Sequence, residues 1–294
     1  MKRTPGERTA GAAIGPARAL GVLSLLAMTA VQVASGLDVR PERYVTAIVA
    51  LLAASAVAFA ADAWGPRRAV GAFCAAVLTG YAAELAGVLT GFPFGSYSYT
   101  GVLWPQAGGV PVVVTLAWGG MGLAAYAVGA ALATGWGRVF AGACALTAWD
   151  LFLDPQMVGL GLWRWADDGF YRGIPLSNFA GWLLVSALVM LVIGRAAREP
   201  GPASGLLVLY TVMAVMETVA FAAVFVPPDP LVAAAGGLAM GGFAVASWRR
   251  ACGRAQGRAQ RWAQKRAQGR TQRRAQGRAQ RRAQGRARRR AWQR

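Results

Sequence analysis

The chain has 294 residues, 56% of them hydrophobic and 15% charged, with 31 Lys+Arg, 12 Asp+Glu and no His. Soluble globular domains carry about 25% charged residues, so a soluble fold is excluded. The missing His excludes a His-based triad, a HExxH zinc site, a facial His/carboxylate iron site and a His-ligated haem.

In chain order, apolar runs occupy 17–36, 44–64, 69–90, 110–134, 138–159, 176–194, 204–226 and 230–248. Each is close to the ~20 residues that cross a bilayer. Arg18 opens the first run and seven more follow, which reads as a retained helix rather than a signal peptide. The linkers are short and carry Gly, Pro and charge, as helix ends do. The expected fold is all-α: a polytopic membrane bundle of about eight transmembrane helices. Cys74, Cys144 and Cys252 are far apart and form no CxxC, so neither a zinc ribbon nor a disulfide framework is indicated.

Residues 249–294 differ in kind. They hold 18 of the 31 basic residues and no acid, and RAQ begins at Arg254, Arg258, Arg266, Arg274, Arg278 and Arg282. So low-complexity a segment cannot bury enough surface to offset its ordering entropy, and a disordered basic tail is expected. Two readings stand for it: electrostatic attachment to anionic lipid or RNA, or a solvated, dispensable extension. The domains expected are 1–248, membrane-embedded and catalytic, and 249–294, the tail.

With eight spans both termini share one side. That side collects Lys2, Arg3, Arg8, Arg18, Arg67, Arg68, Arg138, Arg195 and Arg198 before the tail is counted; the other has Arg40, Arg43, Arg164 and Arg172. The positive-inside rule puts both termini in the cytoplasm of a cell-membrane protein, with the 91–109 and 160–175 loops outside.

Charged groups inside a membrane are costly and default to functional candidates. Asp62 lies near a span end close to Arg67 and Arg68 and reads as an interfacial ion pair. Glu84, Asp150, Asp154 and Glu217 lie somewhat outside the midplane at similar depth, on three separate spans, with no basic residue at that depth. A common polar cavity explains the shared depth; interhelical hydrogen bonding is the structural alternative. Asp150 and Asp154 are i and i+4 and share a helix face. Pro155 places Asp154 near a helix end or kink. Apolar surroundings and a like charge one turn away make this pair a holder of a proton; its structural reading is two acids bonded to loose backbone at the proline.

The outer loops are aromatic. Gly91-Phe92-Pro93-Phe94-Gly95-Ser96-Tyr97-Ser98-Tyr99 is one; the other holds Trp163, Trp165 and Tyr171, then Gly173-Ile174-Pro175-Leu176-Ser177-Asn178-Phe179-Ala180-Gly181-Trp182. An interfacial belt accounts for the tryptophans. It does not account for a Pro/Gly-punctuated loop so close to Glu84, or for Asn178 at the start of a span. Aromatic faces beside buried acids suit a greasy substrate and a carbocation.

These loops, with Trp149-Asp150-Leu151-Phe152-Leu153-Asp154-Pro155 and Trp163-Arg164-Trp165, resemble the membrane carotenoid-biosynthesis family that contains the carotenoid 1′,2′-hydratases and the archaeal bisanhydrobacterioruberin hydratases. The resemblance covers roughly 70–200 and leaves out the tail. It implies addition of water across the C1′,2′ double bond of an acyclic ψ end group, with no redox cofactor or metal. The implied partners are a hydrophobic carotenoid, water and the bilayer; other carotenoid enzymes are further candidates. Markovnikov hydration of such an alkene needs a strong proton donor and a group that takes a proton from water. Asp150 and Asp154 are candidates for the donor, Glu84 and Glu217 for positioning or deprotonating water. Phe94, Tyr97, Tyr99, Trp149, Trp163 and Asn178 are candidates for substrate binding and cation stabilisation. A carotenoid cyclase uses the same protonation, and a proton-coupled transporter also keeps intramembrane acids; no convincing internal repeat supports the transporter.

Overall fold

The computed structural model describes residues 14–254 and the isolated positions 256, 257, 260, 268 and 276. Residues 249–254 of the basic tail are helical rather than disordered; for most of the rest, the expected disorder and the lipid or RNA reading lie outside the described residues. The chain divides between Trp248 and Arg249 into two units, and the architecture below is that of the first.

The helices are α1 (Pro16–Leu37), α2 (Val45–Trp64), α3 (Pro66–Thr90), α4 (Val112–Leu132), α5 (Gly135–Gly159), α6 (Leu176–Ala196), α7 (Ser204–Val219) and α8 (Pro230–Arg254). Each coincides with one expected span. Pro16 and Pro66 open their helices at the position where a missing N–H costs nothing. Gly91, at φ 75°, ends α3 in the left-handed conformation that glycine adopts freely. A 3-10 turn, Pro41–Tyr44, leads into α2, and a π turn, Ala220–Val224, prolongs α7.

Seven of the helices are long and apolar enough to cross a membrane. The exception, α5, has 25 residues, ample length, but Arg138, Asp150, Asp154 and Gln156 dilute its apolar content. It is shielded by α4 and α6, which pack along it. The innermost helix is α4, 83% buried over its apolar window and flanked by α2, α3, α5, α6 and α7.

One expectation is corrected and two gain detail. The helix runs through Pro155 and ends at Gly159, which leaves Asp154 near its C-terminal end, as expected. Proline removes the N–H that would bond Leu151 C=O, and the Tyr171 hydroxyl donates to that oxygen instead, at 2.9 Å. Asp62 pairs with Arg18 across α1 and α2, at 3.9 Å, rather than with Arg67 or Arg68. Finally, the bundle is all-α, as expected, and its loops carry short strands. Strand β1 (Tyr97–Tyr99) pairs antiparallel with β4 (Trp163–Trp165), and β2 (Gln106–Ala107) with β3 (Val110–Pro111).

The β1–β4 pair holds two long loops at one end of the bundle. Arg172 of one of them pairs with Asp229 before α8 at 2.6 Å. Val45, Leu103, Val113, Met157, Leu162 and Trp163 pack together beneath them. One end of the bundle is thus roofed by packed loops.

Candidate active site

Under that roof the candidate residues converge. In β1 and β4 side chains alternate across the ribbon, with Tyr97 opposite Trp165 and Tyr99 opposite Trp163. Those four turn inward, while Ser98 and Arg164, also opposite each other, are exposed. Three-residue strands thereby deliver two phenols and two indoles to the buried acids.

Glu84, on α3, is 5% exposed. Its Oε2 accepts from the Tyr97 hydroxyl at 2.5 Å and the Tyr99 hydroxyl at 2.7 Å; its Oε1 accepts from Trp118 Nε1 at 2.9 Å. Burial, then the neighbouring Glu84 carboxylate, push both phenols well above the ordinary tyrosine range, so both stay protonated donors. Gly80, one turn before Glu84, makes the Trp118 bond possible: a Cβ there would lie 2.5 Å from Trp118 Cγ. The indole lies over the glycine and its N–H reaches the acid.

Asp150 and Asp154, on α5, are 0% and 2% exposed. One amide group serves both: Asn178 Nδ2, in the first turn of α6, donates to Asp150 Oδ2 at 2.7 Å and also to Asp154 Oδ2. Trp163 Nε1 donates to Asp154 Oδ1 at 2.7 Å, whereas Asp150 Oδ1 has no partner. At Gly181 a Cβ would lie 2.6 Å from Pro93 O, so the 91–96 loop dips against α6 and brings Phe94 inward.

Between the two groups of acids lies a pocket of about 30 Å³. Glu84, Asp154 and Asn178 line it, with Phe94, Tyr97, Tyr99, Trp149 and Trp163. Such a volume admits a water molecule. Its walls are aromatic faces: Trp118 stacks on Trp182 with centroids 4.2 Å apart, and Trp149 meets Trp182 edge-on at 6.2 Å. A cation formed there would face π density on several sides.

Residues 44–243 match the family described as carotenoid biosynthesis protein. The chain belongs to that family. A bisanhydrobacterioruberin hydratase from Haloarcula japonica is 35% identical over 132 residues, 43% of this chain and 45% of that protein. The chain thus spans less than half the length of that relative. No solved structure matches it.

In this multi-pass carotenoid-biosynthesis protein the acids expected in one cavity fall into two. Glu84 and Asp154 line the pocket, and Asp150 adjoins it through Asn178. Glu217 does not join them. It lines a second cavity of about 210 Å³ between α1, α2, α5 and α7. Equal depth along the membrane does not imply equal azimuth, and Glu217 on α7 faces the second cavity. Three aromatic lining residues are absent from the candidates read in the sequence: Trp118, Trp165 and Trp182. Trp118 carries one available signal, since a buried indole N–H needs an acceptor and Glu84 is an acceptor with no basic residue at its depth.

Proposed function

We propose that this protein hydrates the terminal C1′,2′ double bond of an acyclic carotenoid by acid catalysis, without redox cofactor or metal. The observation that carries the reading is the water-sized, aromatic-walled pocket with Asp154 on one side and Glu84 on the other. Family membership and the hydratase relative support it.

The chemistry uses the two sides differently. Two carboxyls sharing one amide donor, away from water, favour a proton kept on the pair. Asp154 gives that proton to C2′, and a tertiary cation forms at C1′ against the aromatic walls. Water attacks C1′ from the side of Glu84. Three donors aim at the Glu84 oxygens, which suits an acceptor-only carboxylate, and Glu84 takes the proton that the water sheds. Return of this proton to Asp154 through the next water restores the site. Atoms balance as alkene plus water to tertiary alcohol, with no oxidation or reduction.

Expression in a lycopene-accumulating host followed by pigment mass analysis tests the reading. Gain of one water per hydrated end is the expected result; unchanged pigment, or an isomer of unchanged mass, overturns it. We further infer that both termini are cytoplasmic, from the bias of basic residues. A reporter fused after Trp248 reads as cytoplasmic on this view, and a periplasmic signal refutes it.

A further inference from the structure

The 210 Å³ cavity between α1, α2, α5 and α7 takes no part in the reaction above, yet it shares a wall with the acid pocket. Trp149 and Leu153, one turn apart on α5, line both spaces. The cavity exceeds the roughly 150 Å³ that accommodates a benzene ring. Leu52, Met157, Met213 and Met216 make it apolar and adaptable.

Its polar side chains are Gln32, Ser35, Trp149, Gln156 and Glu217, and three of them carry an unpartnered buried atom. Glu217 is 6% exposed, and among the described residues neither its Oε2 nor Gln32 Oε1 has a hydrogen-bond partner. The Gln32 amide N–H meets Met213 Sδ at 3.6 Å, a weak acceptor. Trp149 Nε1, a buried donor, is unpartnered as well. Unpartnered acceptors on Glu217 and Gln32 and an unpartnered donor on Trp149, all lining residues, suit a ligand group that both donates and accepts, carried on a hydrocarbon. A hydroxyl is the smallest such group. An ether or ketone could satisfy Trp149 and would leave Glu217 unmatched.

We propose that this cavity binds the hydrated end of the carotenoid, a tertiary alcohol on an isoprenoid chain, with Glu217 accepting from the hydroxyl and Trp149 donating to it. The inference rests on the hydration reading and deepens it. Because Trp149 borders both spaces, the carbon that reacts in the acid pocket and the group held in the cavity belong to the same chain end. The alcohol leaves the catalytic acids for the cavity, freeing the small pocket for another water.

Binding of lycopene and of its 1,1′-dihydroxy derivative to the purified full-length protein, read by quenching of tryptophan fluorescence, tests this. The wild type prefers the diol. Glu217→Leu lowers the diol-to-hydrocarbon preference about tenfold, the effect of losing one buried hydrogen bond to a carboxyl group. Glu217→Gln keeps an acceptor and retains part of the preference. Trp149→Phe removes the donor at similar ring size and lowers the preference independently, should the leucine variant not accumulate. Equal wild-type affinities overturn the proposal; so does a preference that both substitutions leave intact, or an equal loss for both ligands, which marks a structural role or a cavity occupied by lipid or water. With Asp154→Asn added to every protein compared, binding is read without turnover. A protein that prefers the diol but hydrates nothing refutes the reaction and not the site.

Discussion

The two cavities that flank α5 divide the polar problem of a membrane interior in opposite ways. In the acid pocket the two lining carboxyls are bonded within the protein: Glu84 receives three hydrogen bonds and Asp154 receives one on each oxygen, while Asp150 Oδ1 and the Trp149 and Trp165 N–H groups have no partner among the described residues. In the larger cavity Glu217, Gln32 and Trp149 present atoms that nothing in the fold satisfies. A fully bonded network is rigid and holds its groups in one geometry, as proton transfer requires. Unmatched groups around an apolar space are what a ligand completes. The difference assigns chemistry to one side of α5 and recognition to the other.

The strongest way to break this comparison is at the acid pair. Asp154→Asn and Asp150→Asn keep size and most hydrogen bonding but remove the carboxyl proton. Loss of a general acid costs about 10²–10⁴-fold, so at least one variant should abolish pigment hydration while still inserting in the membrane. Asp62→Asn is the control. Asp62 pairs with Arg18 at a distance of 3.9 Å and is partly exposed, so activity should survive. A dead Asp62 variant beside active Asp150 and Asp154 variants would remove the pocket from the mechanism.

A second, smaller set of changes sharpens the base side. Glu84→Gln replaces one acceptor oxygen with an amide group facing the hydroxyls or the indole, and about 10²-fold loss of hydration is expected. Tyr97→Phe and Tyr99→Phe each remove one donor to Glu84 Oε2, and about tenfold loss per hydroxyl follows from the worth of a hydrogen bond to a charged group. If both Phe variants keep full activity, the carboxylate does not need its donors and the rigid-network argument fails. Product analysis with matched protein levels reads all three.

The bundle was legible because a membrane demands ~20-residue apolar runs, and all eight survive as helices. The acids stood out for the same reason: charge in such a run is expensive. The partition between cavities was not legible, since sequence gives depth along a helix axis but not which neighbour a face meets. The β1–β4 ribbon also escaped. Tyr97-Ser98-Tyr99 and Trp163-Arg164-Trp165 show period-2 alternation, but three residues are too few to distinguish a strand from a loop. The continuation of α5 through Pro155 depends on Tyr171, sixteen residues later in the chain, which no local rule anticipates.

That substitute bond is itself testable and should cost less than any catalytic change. Tyr171→Phe strips the Leu151 carbonyl of its donor, and about 1 kcal/mol of stability should be lost. Pro155→Ala restores a backbone N–H for the same oxygen, so Tyr171→Phe should cost markedly less in that background. A thermal-unfolding double-mutant cycle reads the coupling. Additive effects would mean that the hydroxyl and the missing N–H are unrelated.

The smallest expected effect lies at the roof, outside both cavities. Partial burial would raise the Asp229 pKa, but hydrogen bonds from Arg172 and from the Val232 N–H outweigh it and hold the carboxyl below its ordinary value. A carboxyl depressed in the folded state contributes stability above its unfolded pKa of about 3.9, and that contribution disappears as pH falls through the folded value. Arg172 is about half exposed, so solvent screens the pair and its worth should stay below about 1 kcal/mol. Asp229→Asn should therefore lower thermal stability slightly at neutral pH, and the gap from wild type should close as the solution is acidified below pH ~4. Hydration at neutral pH should be little changed, because neither residue lines the acid pocket. A gap that widens on acidification would reverse the sign of this linkage, and a large loss of hydration would mean that the roof takes part in the chemistry beneath it.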